Sequence, residues 1–191
     1  EGTKSWEFDY PTGSEGATNT FKGDGGPKIG NIFSRLLYAI RFGSDQILFS
    51  NRVNSNSQIL YDRSPKERVA KVAPYLTLDG RVYPAVVDGR VKWIVDGYTT
   101  SDAYPYSQMT DLGEATKDST TESSDTVSSL NSKNANYIRN SVKATVDAYD
   151  GSVDLYVWDQ SDPVIKAREK SFPGQDHQLS EISADLMSHM R

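Results

Sequence analysis

The stretch VYPAVVDGRVKWIVDGYTTSDAYPYS, residues Val82 to Ser107, decides the fold. Asp88-Gly89 sits between two runs rich in β-branched and aromatic residues, the signature of a two-residue type I′ hairpin. That turn sets Val87 opposite Arg90, Val86 opposite Val91, Pro84 opposite Trp93 and Val82 opposite Val95. One face of the hairpin is then apolar, and Arg90, Lys92 and Asp96 lie on the other. Pro84 has no N–H to give to a ladder, so its strand is predicted to be an edge there.

A second hairpin of the same design is predicted downstream, with Val142 to Tyr149 and Ser152 to Trp158 joined at Asp150-Gly151. A two-residue turn gathers Val142, Ala144, Val146, Ala148, Val153, Leu155 and Val157 on one face. The same register sets Asp147 opposite Asp154. Like charges facing each other across a ladder are unfavourable, so the pair calls for a neighbouring Arg or Lys, or a bound cation.

Helices are predicted around the hairpins. Ile29, Ile32, Phe33, Leu36, Leu37 and Ile40 recur at helical spacing as a core-facing stripe, and Gly43 is the expected left-handed C-cap. Ser64-Pro65-Lys66-Glu67 reads as a capping box opening a short helix that stops before Pro74. Asp162-Pro163 opens another, ended by Phe172-Pro173-Gly174, and a last helix starts at about Ser180 with Ile182, Leu186, Met187 and Met190 on one side. The first 30 residues read as irregular. The runs Ile47-Leu48-Phe49 and Ile59-Leu60-Tyr61 fit a short strand or a helical turn equally. Asp111 to Asn136, dominated by Ser, Thr, Asp, Asn and Lys, reads as a long mobile loop. The expected architecture is α+β, an antiparallel sheet built from two DG-turn hairpins packed against several helices. Residues 1–191 are read as one domain, with the hairpins on the helix near residues 30 to 42.

Composition excludes several function classes. The net charge is −5, from 21 basic and 26 acidic residues, with no run of more than two Lys or Arg, so a nucleic-acid partner is not expected. The absence of Cys removes disulfides, thiolate catalysis and Cys-ligated zinc together. His177 and His189 lack zinc-ligand spacing, and neither a metal nor a cofactor is expected. Gly23 to Lys28 is glycine-rich before a helix but satisfies no phosphate-loop pattern, and a plain turn is the simpler reading. No apolar run is long enough to span a bilayer. A start at Glu1 without Met reads as a piece of something longer.

No catalytic residue can be named from these patterns. One constellation stands out: Asp96, Tyr98, Thr99, Thr100, Ser101, Asp102, Tyr104 and Tyr106. Its hydroxyls, carboxylates and rings suit a groove for a sugar or a peptide. The simpler reading is an ordered loop leaving a strand, whose tyrosines pack on the core and whose Asp and Thr side chains cap turns.

Several long motifs in fixed order carry a resemblance. They are SWEFDYP (Ser5 to Pro11), RLLYAIRFG (Arg35 to Gly43), ERVAKVAPYLTLD (Glu67 to Asp79), VVDGRVKWIVDGYTTSDAYPYS (Val86 to Ser107), NYIRNSVKATVDAYDGSV (Asn136 to Val153) and DPVIKAREKSFPG (Asp162 to Gly174). Together they resemble uncharacterised protein family 0182, large bacterial membrane proteins typical of actinobacteria. Members have several N-terminal transmembrane helices and a large soluble region outside the membrane. The resemblance implies that this chain is part of that extracytoplasmic region at the cell membrane, with the parent's transmembrane region as one partner. It brings no catalytic residues. The expected function is a non-enzymatic module that binds a cell-envelope component or another envelope protein. The alternative is a cell-envelope hydrolase or transferase using carboxylates near Asp96 and Asp102, and a third reading is a scaffold that only assembles the parent.

Overall fold

A computed structural model of the chain describes residues 7–12, 15–19, 23, 26–49, 56–115 and 134–190. The chain divides into two compact units, residues 1–61 and residues 62–191.

In the first unit, β1 (Glu7–Thr12) pairs antiparallel with β2 (Glu15–Asn19), so a region expected to be irregular contains a short hairpin. Helix α1 (Ile32–Phe42) starts at Asn31, whose side chain accepts a hydrogen bond from the Phe33 N–H at 2.8 Å. It ends at Gly43, whose φ of 63° is the left-handed cap read from the sequence. The short helix α2 (Gln46–Phe49) follows and packs beside it. The glycine-rich approach is a paired turn: Gly26 N–H donates to the Gln58 side chain at 3.2 Å, Gln58 Nε2 donates to the Gly23 carbonyl at 3.0 Å, and Ile29 N–H donates to the Ser57 carbonyl. A Cβ on Gly26 would stand 2.2 Å from the Ile59 carbonyl oxygen, so that glycine is there for a close backbone approach.

The stripe expected to face a core does not. Ile32, Phe33, Leu36, Leu37 and Ile40 are all exposed, and Ile29 before the helix is the one stripe residue that is buried. The aromatic contacts of α1 lie on its other side, where Phe42 is also exposed. Tyr38 and Phe42 stack with ring centroids 6.1 Å apart, both meet Tyr61, and Ala39 is buried between turns. Aromatic rings supply more contact area per residue than the aliphatic stripe, and Tyr61 offers them a ring to pack on.

The second unit is built on one antiparallel sheet. Helix α3 (Pro65–Val72) leads into β3 (Thr77–Val87) and β4 (Arg90–Ser101), joined at Asp88-Gly89. Both turn residues have positive φ, 51° and 77°, and every pairing read from the sequence is present, including Pro84 with Trp93. Then come β5 (Thr110–Asp111), α4 (Leu112–Ala115) and β6 (Asn134–Ala135), followed by β7 (Tyr137–Asp147) and β8 (Val153–Val157). Helix α5 (Pro163–Ser171), a 3₁₀ turn (Leu179–Glu181) and α6 (Ala184–His189) close the chain. The sheet order β3-β4-β7-β8 puts β3 at an edge, where Pro84 costs no ladder bond. The expected mobile loop is structured at both ends, since β5 pairs with β6 and Leu112 is buried against Ala135; residues 116–133 lie outside the described residues.

Helices cover both faces. On one, Val69 of α3 and Ile165 of α5 pack with Val95, Val142, Ala144, Val146, Leu155 and Val157. Each fully buried Val or Ile there contributes roughly 1.5–3 kcal/mol. The face expected to be polar carries a second cluster: Val87, Ile94 and Tyr156 lie against Ile182 and Leu186. Ile94 sits between Lys92 and Asp96 in sequence and is completely buried. The Ser64 capping box is not formed, because Ser64 makes no side-chain cap bond, and Pro65 alone sets the first turn.

The second hairpin keeps its predicted apolar face but shifts register by two residues. Val146 pairs with Val153 and Thr145 with Asp154, so Asp147 is not opposite Asp154 and Ala148 leaves the core. The reason is local. Asp147 Oδ1 accepts from the N–H groups of Tyr149 (2.8 Å) and Asp150 (3.3 Å), and Gly151 N–H donates to the Asp147 carbonyl with φ at 75°. This four-residue loop satisfies Asp147 internally, which a two-residue turn cannot do.

Candidate functional site

The residues singled out between Asp96 and Tyr106 lie along the second half of β4 and the loop after it. A bulge interrupts the β4–β7 ladder between Gly97, which pairs with Val142, and Tyr98, which pairs with Asn140. Bulges re-aim side chains, and this one distributes the constellation among several environments. A Cβ on Gly97 would stand 2.8 Å from Leu76 Cδ1, so any larger residue there must displace the Leu76 side chain.

Asp96 precedes the bulge and pairs across the ladder with Lys143, whose Nζ donates to Asp96 Oδ1 at 2.7 Å. Lys143 is completely buried, and its Nζ also lies 5.3 Å from the centre of the Trp158 ring. A buried ammonium needs such partners, so the pair is a closed structural device.

Past the bulge, Thr99 turns inward and meets Asp162, the N-cap of α5. Thr99 Oγ1 and Ser141 Oγ both donate to Asp162 Oδ2, while Tyr137 O–H (2.8 Å) and Val164 N–H (2.9 Å) donate to Oδ1. Burial pushes the Asp162 carboxyl up, and the four donors outweigh it, leaving it below the usual carboxylate range. Tyr98 O–H donates to Asp79 Oδ2 at 3.0 Å. Its burial, with the Asp79 charge beside it, pushes the phenol up to about 12.

The remaining members are at the surface. Asp102 and Tyr104 are exposed, and Tyr106 is fully exposed with φ at 58°. The loop that carries them is stapled by Asn136: its Oδ1 accepts from Tyr104 N–H at 3.0 Å, and its Nδ2 donates to the Tyr104 carbonyl at 2.7 Å. Ser107 Oγ donates to the Asn136 carbonyl, and the Tyr104 ring stacks on Tyr137 at 5.2 Å. The result is a rigid loop holding a tyrosine ring out in solvent. Asp96 and Asp102 are six residues apart along an extended strand, on the order of 20 Å. A glycosidase-type carboxylate pair needs roughly 5–10 Å, so these two do not act as one.

The second carboxylate pair has basic neighbours. Arg90 forks onto Asp147, Nε to Oδ2 at 2.7 Å and Nη2 to Oδ1 at 2.9 Å, and also reaches Asp150. Asp154 has Lys92 at 3.6 Å and His177 at 3.8 Å. No local sequence pattern marks Asp162, Ser141, Tyr137, Lys143 or Asn136 as members of the site. Asp162 was legible as a helix cap, but its partner Thr99 lies 63 residues away, and nothing local announces that meeting.

Comparison with known proteins places the chain. It matches the group described as "Uncharacterised protein family (UPF0182)" over residues 1–191. Among curated relatives, it is 97% identical to a UPF0182 protein of Bifidobacterium adolescentis, 88% identical to one of Bifidobacterium longum and 60% identical to one of an Arthrobacter species. Each alignment covers 100% of this chain but only 18%, 18% and 19% of the relative, so the chain spans about a fifth of their length. No solved structure matches it. With its whole length matched, the chain belongs to the uncharacterised protein family UPF0182.

Proposed function

We propose that this chain is a non-catalytic binding module on the extracytoplasmic face of a bacterial membrane protein, and that it engages an envelope component through the Tyr104–Ser107 loop. The observation that carries this reading is Tyr106. A bulky aromatic in left-handed backbone costs roughly 1–3 kcal/mol, and a fully exposed ring returns nothing to the fold. The Asn136 staple and the Tyr104–Tyr137 stack hold the loop in that conformation before any ligand arrives, which lowers the ordering cost of binding. Exposed tyrosine rings and an exposed carboxylate, Asp102, on one short segment suit the C–H faces and hydroxyls of a saccharide. Asp96 and Thr99, each held in a closed network, are framework for this loop and take no part in chemistry. The extracytoplasmic placement rests on the motifs that resemble the family's soluble region, as does the parent's transmembrane region as partner.

Two measurements test this. Cosedimentation of the chain with cell-wall sacculi from a Bifidobacterium is expected to fall about tenfold on Tyr106→Gly, the worth of one stacked aromatic. The same variant is expected to gain about 1 kcal/mol of stability by relieving the strained φ. Unchanged cosedimentation, or none for the unsubstituted chain, removes the loop from the reading. For placement, Glu67→Cys in the whole protein is expected to react with a membrane-impermeant maleimide on intact cells. Labelling only after lysis would put the module inside.

A further inference from the structure

The aliphatic stripe of α1 is an apolar surface that the loop reading does not use. Ile32, Phe33 and Ile40 are 68%, 62% and 71% exposed, and Leu36 and Leu37 are exposed beside them. At about 100° per residue, these five side chains span one side of the helix. The two charged residues of α1 are both arginines, and no acidic residue occurs between Ile32 and Phe42. Arg41 falls about 40° past Leu37 and Arg35 about 60° before Ile32, so an arginine flanks the stripe on either side, and the Arg35 Nε–H donates to the Ile29 carbonyl at 3.0 Å. In a chain whose net charge is −5, an acid-free helix with arginines at both borders is a local reversal of sign.

From this arrangement we infer that α1 lies in the interface of a lipid bilayer bearing anionic headgroups, with its aliphatic stripe among the acyl chains and its arginines on lipid phosphates. The position of the charges favours lipid over an apolar groove in a protein. An interfacial helix needs long cationic side chains at the stripe's borders, where stems lie along the apolar layer and heads reach the phosphates. Arginine's planar fork suits phosphate in two-bond contacts. Arg41 lies over the Phe42 and Tyr61 rings, 5.8 and 5.4 Å from their centres, contacts that its guanidinium would exchange for lipid phosphates. Phe49 of the neighbouring α2 is also exposed.

The test is flotation of the 191-residue chain with vesicles of phosphatidylcholine alone and of equimolar phosphatidylcholine and phosphatidylglycerol. The chain is expected to float with the anionic vesicles and to be released as salt rises. Ile40→Asp is expected to reduce flotation about tenfold or more, because a buried Ile side chain is worth over one decade of partition. Arg41→Glu is expected to reduce binding to the anionic vesicles while leaving residual binding to neutral ones unchanged. Both positions are exposed, so thermal unfolding of the variants should match that of the unsubstituted chain. Tyr106→Gly is expected to float normally, which separates this surface from the envelope-binding loop. Failure of the chain to float, equal flotation of Ile40→Asp, or a dimer that Ile40→Asp dissociates would each overturn the inference.

Discussion

Asp162 keeps its charge with no exposure because Thr99, Ser141, Tyr137 and the Val164 amide all donate to it. Burial alone would raise this carboxyl, and the donors reverse the sign, so its folded value lies below its unfolded one. A depressed carboxyl contributes stability above the ordinary carboxylate range and loses it as pH falls through the folded value. Urea unfolding of Asp162→Asn should therefore be weaker by about 2 kcal/mol at neutral pH, since donors once aimed at a carboxylate lose it. The difference from the unsubstituted chain should shrink as the solution is acidified below that range. A difference that stays constant with pH would show that Asp162 acts only as a helix cap. Asp176 titrates with the opposite sign: burial raises its carboxyl, so its subtraction through the difference curve matters. At this scale the sequence revealed the cap at Asp162-Pro163 and left its other partners unseen, because they come from β4 and β7.

The two DG hairpins look alike in sequence and differ as elements. Asp88-Gly89 is a two-residue turn with both residues at positive φ, whereas Asp150-Gly151 closes a four-residue loop with only Gly151 there. An alanine at Gly89 meets no neighbour within 4 Å, so Gly89→Ala is expected to cost about 1 kcal/mol, the conformational term alone. At Gly151 a Cβ would stand 2.4 Å from Arg68 Cζ, and Arg68 bonds the Gly151 and Asp62 carbonyls. Gly151→Ala should cost about 1–2 kcal/mol more, because those bonds must break as well. Equal losses in denaturant unfolding would show that Arg68 moves aside freely. The dipeptide announced a hairpin in both places, but loop length followed from Asp147 capping its own turn.

At the scale of the molecule, residues 62–191 hold both large apolar clusters found among the described residues, every member from Val69 to Met190. A fragment of residues 62–191 is therefore expected to unfold in one cooperative thermal step with a midpoint within a few degrees of the full chain's. A broad transition or rapid proteolysis of the fragment would show that it depends on the first 61 residues. The expectation of one domain with α1 on the hairpins is what this experiment decides.

Alternation, turn glycines and proline positions were sufficient in the sequence alone to set the antiparallel sheet, the first hairpin's register, the edge strand and the starts of α3 and α5. These signals act between residues close in the chain, where backbone sterics and hydrogen-bond supply leave few options. Tertiary structure decided which side of α1 packs, since the helical period identifies a stripe but not what covers it. It also decided that Lys143 is buried against Asp96 and Trp158, that Thr99 meets Asp162, and that Tyr106 stands in solvent on a stapled loop. Each of those outcomes depends on groups dozens of residues apart, brought together only when the sheet and its covering helices close.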